Sequence, residues 1–545
     1  MTLALGLDFG TESVRALLVD VQTGEELASA VAPYSHGVID ERLPNTDIRL
    51  PSEWALQDAD DYKSSTRNAV RQALELANAS SGDIIGVGID FTACTLVPST
   101  HDGIALSAIP EHRNNPHAWT KLWKHHAAQP EATEITKLAL ARDEQWLKRC
   151  GGKVSSEWLH SKALQVLHEA PEMYHATDCY IEAGDWFVWQ LTGVLQRNAC
   201  AAGYKASWSK TTGYPSAEFL AKLDPRFGTL ADKLQGDVKP PGTLAGVITE
   251  EAAAWSGLRS GTPVAMATID AHAAVPGAGI TEEGTLLMVL GTSTCHMLLG
   301  KSEQLIPGIA GIVEDGILPG FFGYEAGQAG VGDSFEWFVE QCVPASYTAR
   351  AASLNLNLFE LLEREASQLR PGESGLLALD WWNGNRSVLC DAELSGAIFG
   401  LTLGSRPHHI YRALIEATAY GTKVIIDQFE SGGVPIKQIV ACGGLAVNNR
   451  LLLQIYADVT GRTIHLAHSD LTSALGAAMF GAVAAGVGTL DDISAKFTKK
   501  PRAVIEPIAA HRDTYAALFD TYRELHDTFG LGGIGTLKKL RALRG

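Results

Sequence analysis

Three short segments of this 545-residue chain carry residue types suited to phosphate chemistry. Asp8-Phe9-Gly10-Thr11-Glu12-Ser13 places a carboxylate at the end of an apolar run and follows it with a Gly turn bearing two hydroxyls. Such a turn presents backbone N–H groups and hydroxyls to phosphate oxygens, and Asp8 can hold a hydrated Mg2+. A plain hairpin turn capped by its own hydroxyls uses the same residues, so this segment alone decides nothing. Gly291-Thr292-Ser293-Thr294 offers a matching turn far along the chain, and two such turns could grip a triphosphate. Gly443-Gly444-Leu445-Ala446-Val447-Asn448 leads from a strand-like run into a helix, where closely approaching backbone can line an adenosine site. The candidate nucleotide contacts are Gly10, Thr11, Ser13, Gly291, Thr292, Gly443, Gly444 and Asn448, and the candidate metal ligand is Asp8.

Other motifs fail on inspection. Gly300-Lys301-Ser302 resembles the end of a P-loop, but the required Gly is Cys295. Gly530-Leu531-Gly532-Gly533-Ile534-Gly535 fits GxGxxG yet follows a helical stretch, Tyr515 to Thr528, rather than a strand, and is read as a flexible turn. The pairs His125-His126 and His408-His409 put neighbouring side chains about 100° apart on a helix and lack metal-site spacing, so polar surface positions are expected.

The elements that must hold these segments can be read from periodicity. A β-meander opens the chain: Leu3 to Phe9, Val14 to Asp20, and a third run to Ala32, separated by turns at Gly10-Thr11 and Thr23-Gly24. A helical pattern over Asp60 to Ala79 precedes a strand-like Ile84 to Phe91, which argues an α/β architecture. A long helix is predicted near His409 to Phe429, then strands at Gln438 to Cys442 and Thr463 to Ala467, with a helix from about Asn448 between them. The strand, Gly-Thr turn, strand of residues 9–18 recurs at residues 290–299, a constant offset of 281. Two copies of one hairpin, each opening about half of the chain, suggest two similar domains facing one another.

Length and composition agree with that reading. A chain this long exceeds the roughly 250 to 300 residues at which one core stops growing. The apolar fraction of 46% and charged fraction of 19% are those of a globular protein. A net charge of −18 repels a phosphate backbone, and the only short basic cluster, Lys538, Lys539, Arg541 and Arg544, is a terminal helix face. Eight scattered cysteines without a CxxC pair suit reduced, mostly buried thiols. No export signal is recognisable at MTLALGLDFG, and a cytoplasmic location is expected. Leu471 to Leu490 has no charged residue and the length of a membrane span, but its Ala and Gly content points to a buried helix.

The order and separation of these segments resemble the FGGY carbohydrate kinases of the actin-like ATPase superfamily over essentially the whole chain. Finer features look like the branch acting on L-ribulose: His36-Gly37-Val38-Ile39-Asp40, Asp90-Phe91-Thr92-Ala93-Cys94-Thr95, residues 116–126, Gly323-Tyr324-Glu325-Ala326-Gly327-Gln328, and Asp380-Trp381-Trp382-Asn383-Gly384-Asn385-Arg386. The resemblance implies an α/β fold of two actin-like (ribonuclease H-like) ATPase domains facing a central cleft. Residues 1–272 would form the sugar-binding domain and 273–545 the ATP-binding domain. It also implies ATP- and Mg2+-dependent phosphorylation of L-ribulose at O5, giving L-ribulose 5-phosphate in L-arabinose breakdown.

Within Ile269-Asp270-Ala271-His272, Asp270 matches the catalytic carboxylate of the family. By the same resemblance the sugar contacts are Ala93 through its backbone, Trp123, Lys205, Asp270 and Glu325. Glycerol kinases of this superfamily carry an Arg-Glu pair where this chain has Ala93-Cys94, which argues against glycerol. D-ribulose, ribitol and, further off, a non-sugar actin-like ATPase stay open as alternatives. The expected partner is a small ketopentose or pentitol, with no nucleic acid and no membrane, and a homodimer stays open.

Overall fold

The opening meander sets the pattern for the whole molecule. In the computed structural model, which describes residues 1–532 and 534–543, Leu3–Phe9 (β1), Ser13–Asp20 (β2) and Glu26–Pro33 (β3) are antiparallel neighbours, registered through Phe9 opposite Val14 and Ser13 opposite Pro33. Ala59–Ala77 (α1) packs on β2 and β3, its N-terminus capped by the Asp58 carboxylate. The chain returns as Ile84–Phe91 (β4), parallel to β1. After an α-rich excursion that includes Leu159–Glu169 (α2) and Ala199–Ala206 (α3), Leu244–Val247 (β5), Pro263–Ala265 (β6) and Thr268–Ile269 (β7) complete the sheet. Its order is β5-β6-β4-β1-β2-β3, with β7 paired to β4.

Asp270–Gly277 (α4) follows, and a second sheet is then built on the same plan. Thr285–Leu290 (β8), Thr294–Gly300 (β9), Gly311–Glu314 (β10) and Phe322–Gln328 (β11) precede the helix Gly332–Cys342 (α5) and the long helix Pro407–Ser431 (α6). Gln438–Cys442 (β12) is parallel to β8, and Ile464–Leu466 (β13) is parallel to β12. The order β11-β9-β8-β12-β13 repeats β3-β2-β1-β4-β6, and the Leu290–Thr294 hairpin answers the Phe9–Val14 hairpin with a turn one residue shorter. The echo read at an offset of 281 residues is therefore a duplicated sheet. Each sheet has its own apolar core, one around Phe9, Phe91 and Phe187, the other around Tyr324, Tyr420 and Phe429.

The stretch that imitates a membrane span is Thr472–Ala484 (α7), buried along most of its length. No helix among the described residues is long and apolar enough to cross a membrane. Although α7 comes from the second half of the chain, it packs against β1 and β4 of the first sheet and against α4. A β-carbon at Gly6, Gly86, Gly88 or Gly277 would collide with the carbonyl of Ala474, Gly481, Ala477 or Thr472 respectively. Glycine on the sheet and Ala and Gly on the helix permit backbone-to-backbone approach, and so the segment carries few large apolar side chains. Ala503–Ile505 (β14) closes the second sheet, and Arg512–Gly530 (α8) packs on α6, with Tyr515 and Tyr522 against Tyr420. The GxGxxG segment begins at the last residue of α8; Gly533, like Arg544 of the basic cluster, lies outside the described residues.

Candidate active site

The parallel pairing of β1, β4 and β7 determines where the carboxylates go. Asp8 is in register with Asp90, and Asp90 with Thr268, two residues before Asp270. Asp8, Asp90 and Asp270 thus collect at the carboxyl ends of three adjacent strands, where open α/β sheets bind ligands. Asp270 is the first residue of α4, and its Oδ1 accepts a hydrogen bond from the Ala271 N–H at 2.6 Å. Burial and the charges of Asp8 and Glu325 push its carboxyl up to about 7, against the opposing pull of Ala271 N–H and Lys205. Asp90 is fully buried with both oxygens lacking a protein partner, and burial with the neighbouring Asp8 and Asp270 charges raises it well above the carboxylate range. Asp8 accepts from Arg15, its cross-strand neighbour, at 2.7 Å.

The two Gly turns are each closed by the N–H of their first glycine, but the second is one residue shorter, since Phe9 pairs with Val14 and Leu290 with Thr294. Gly10 N–H donates to Ser13 O at 2.9 Å and Gly291 N–H to Ser293 O at 3.0 Å. The first turn is held from behind by Tyr34, whose hydroxyl donates to Gly10 O, and by Gln57, whose amide donates to Thr11 O at 2.7 Å. The second is held by Val331 N–H and Gly332 N–H, which donate to Thr292 O and Gly291 O from the start of α5. Gly443 directly follows Cys442, which pairs with Val289, and so lies beside Leu290 and the second turn. Its φ of 91° and the 2.5 Å that would separate a β-carbon from Leu290 O both require glycine. Gly444 and Asn448 are solvent-exposed on the short helix that follows.

The residues expected to contact sugar converge from distant parts of the chain. Lys205 Nζ on α3 lies 2.9 and 3.2 Å from the carboxylate oxygens of Glu325 on β11, and both side chains are buried. His272 Nε2 is 3.4 Å from the same carboxylate, and the Arg386 guanidinium also bonds it. Burial pushes the Glu325 carboxyl up, but Lys205 and Arg386 outweigh it and hold the group well below the usual carboxylate range. The pair is therefore ionised, and one carboxylate is shared by two cations. Trp123 donates its indole N–H to Thr11 Oγ1 at 3.0 Å, tying the expected sugar wall to the first phosphate turn. Ala93 lies just past the end of β4, packed between an apolar cluster around Trp119 and Trp158 and another around Tyr204.

Lys205, Asp270 and Glu325 are thus brought into one electrostatic cluster, and Trp123 is bound to the turn that carries Thr11. Arg386, His272 and Asp90 lie in segments that carry the family resemblance, but sequence reasoning gave none of them a role. Arg386 ends the turn-rich segment 380–386, and nothing local shows which group its charge serves, because its partner Glu325 is 61 residues away. His125 corrects the surface assignment: it is fully buried, Nε2 is 2.8 Å from Gln165 Oε1, and its ring packs edge-on against Trp54. Residues 122–128 are turns and irregular backbone rather than helix, so the helical spacing assumed for the pair does not apply. Burial, with help from Lys121 and Lys162, depresses its pKa to about 2.

A duplicated sheet of actin-like order, opened in each half by a Gly-Thr turn and carrying a raised carboxylate at the carboxyl end of its first sheet, is the framework of a carbohydrate kinase. The description "FGGY family of carbohydrate kinases, N-terminal domain" matches residues 3–277 and its C-terminal counterpart residues 286–485. The chain belongs to the FGGY family of carbohydrate kinases. It is 51% identical to a ribulokinase of Halalkalibacterium halodurans over 99% of this chain and 97% of that protein. It is 46% identical to a ribulokinase of Mycolicibacterium smegmatis over 99% of this chain and 96% of that one. The fold matches a xylulose kinase from Rhodospirillum rubrum with a TM-score of 0.79 at 23% identity, covering 96% of this chain and 98% of the other.

Proposed function

We propose that this carbohydrate kinase transfers the γ-phosphoryl group of ATP to O5 of L-ribulose, acting in the cytoplasm on the free ketopentose of L-arabinose breakdown. The observation that carries the reading is the buried Lys205–Glu325 pair beside Asp270, in a chain about half identical to ribulokinases along nearly its entire length. Residues 1–272 supply Asp8, Ala93, Trp123, Lys205 and Asp270, and residues 273–545 supply the second phosphate turn, the Gly443-Gly444 pair and Glu325.

In this reading Asp270 accepts the O5 proton as the oxygen attacks in line. Its raised pKa gives it enough basicity to hold that proton near neutral pH. Lys205 donates to sugar hydroxyls and Glu325 accepts from them, while Trp123 walls the C–H face. Gly10, Thr11 and Ser13 face the phosphates from one side, and Gly291 and Thr292 from the other. Gly443, Gly444 and Asn448 line the adenosine. No group of three or more His, Cys, Asp or Glu among the described residues is arranged to hold a metal unaided. The donor set nevertheless fits Mg2+, which usually takes one or two carboxylates and completes its shell with water and substrate phosphates. Asp8 would hold it, beside the unpartnered oxygens of Asp90. When bound, the ion neutralises charge on the phosphoryl group.

The test is ADP release with Mg-ATP and a panel of L-ribulose, D-ribulose, ribitol, L-arabitol, D-xylulose and glycerol. Turnover highest on L-ribulose supports the reading. Turnover confined to another polyol keeps the mechanism and moves the substrate, and ADP release indifferent to every sugar overturns both.

A further inference from the structure

Lys162 on α2 takes no part in the chemistry above, yet its environment is built with care. The residue is 0% exposed, and its ammonium donates to Cys94 O at 2.6 Å, to Leu122 O at 2.8 Å and to Lys121 O at 3.4 Å. Three donors thus meet three backbone carbonyls, which is the full capacity of a lysine. A buried ammonium is costly unless its hydrogen bonds are made, and an apolar side chain would fill the same space without that cost.

The carbonyls it gathers belong to two loops far apart in sequence. Cys94 O lies one residue after Ala93, and Leu122 O one residue before Trp123. Cys94 has a φ of 56°, a left-handed conformation that a non-glycine residue keeps only where its surroundings hold it. The other side of that loop is held as well. Glu182 Oε2 accepts from Thr95 N–H at 3.1 Å, and the Thr95 hydroxyl lies 3.0 Å from Thr92 Oγ1 and 3.3 Å from Ala93 O. Trp123 in turn reaches Thr11 through its indole N–H.

We propose that Lys162 is a positioning residue that ties the 92–95 loop to the 121–123 loop and so sets the spacing between the Ala93 backbone and the Trp123 wall. It governs sugar affinity without touching sugar. The inference rests on the assignment of Ala93 and Trp123 as sugar contacts. Loss of the ammonium frees two loops that carry sugar contacts while leaving the Gly443-Gly444 pair and the second Gly turn, on the other sheet, as they are, and the first turn keeps its own bonds from Tyr34 and Gln57. The kinetic signature is therefore one-sided.

The experiment is steady-state kinetics of Lys162→Met and Lys162→Gln with each substrate varied at saturating levels of the other, alongside thermal unfolding. The expected result for Lys162→Met is a KM for L-ribulose at least tenfold higher with the KM for ATP within twofold of wild type. Lys162→Gln, whose amide still donates, should fall between the two. A sugar KM within twofold of wild type in a folded variant overturns the proposal. So does a proportional loss in both KM values and kcat, which is what a merely structural role produces. Where Lys162→Met does not accumulate as folded protein, Lys162→Gln decides by the same criteria. If wild type prefers another pentose, the same one-sided split is read on that sugar, so a failed substrate assignment and a failed clamp are told apart.

Discussion

Replacing Asp270 by Asn separates chemistry from stability, because the two should move in opposite directions. The carboxyl is raised from 3.8 to about 7, chiefly by burial. At ~1.4 kcal/mol per unit this is about 4 kcal/mol of differential interaction, and because the residue is only half-buried, solvent screening reduces it to about 2 kcal/mol. The folded state binds this proton more tightly than the unfolded chain, so the contribution of Asp270 to stability is intact below about pH 4 and is lost as pH rises to about 7. An isosteric neutral amide removes that penalty. Asp270→Asn should therefore be the more stable protein at pH 8, with an unfolding midpoint a few degrees higher, and the gap should shrink towards pH 5. Turnover should fall on the order of 100- to 10,000-fold, the range for loss of a positioned base. Wild-type kcat should rise with pH through about 7 and then level. ADP-release kinetics from pH 5.5 to 9 and thermal unfolding of the ligand-free enzyme measure both. Turnover within tenfold of wild type, or a variant less stable than wild type at pH 8, refutes the assignment.

Other substitutions probe the remaining parts. Arg386→Met removes one of the two cations on Glu325 and should raise the sugar KM about 10- to 100-fold, the equivalent of one charge-assisted hydrogen bond, with the KM for ATP unchanged; equal effects on both would show that the contact is only structural. Gly443→Ala forces a β-carbon to within 2.5 Å of Leu290 O at a φ of 91°, and should weaken ATP while sparing sugar, as equilibrium titration with each ligand would show. Gly88→Ala drives a β-carbon into the Ala477 carbonyl and should cost about 3 kcal/mol or more by overpacking, seen as a lower unfolding midpoint; an unchanged midpoint would mean that α7 can move away from the sheet.

What could be read from the sequence was whatever is local. β1 and β4 match the predicted bounds because alternating or continuous apolar runs end at turn residues there, and the repeated hairpin needed only one offset to be seen. Asp270, Lys205 and Glu325 came from resemblance, since nothing near any of them in sequence announces the other two. Arg386 and Lys162 escaped because each is defined by partners 61 and 40 to 68 residues away. His125 was misplaced because the reading supplied a helix that the chain does not form.

The Ala- and Gly-rich stretch of α7 is the most instructive case, because its composition has meaning only beside a second set of glycines. Gly6, Gly86 and Gly88 on the first sheet and Gly277 on α4 receive it, and Gly476 and Gly481 on α7 reciprocate against Ala273 and the Val87-Gly88 backbone. The helix that bears Asp270 at its first turn is thereby packed backbone to backbone with an element from the far end of the chain. That contact leaves no side-chain layer to rearrange, so the proposed base sits at the start of a tightly seated helix.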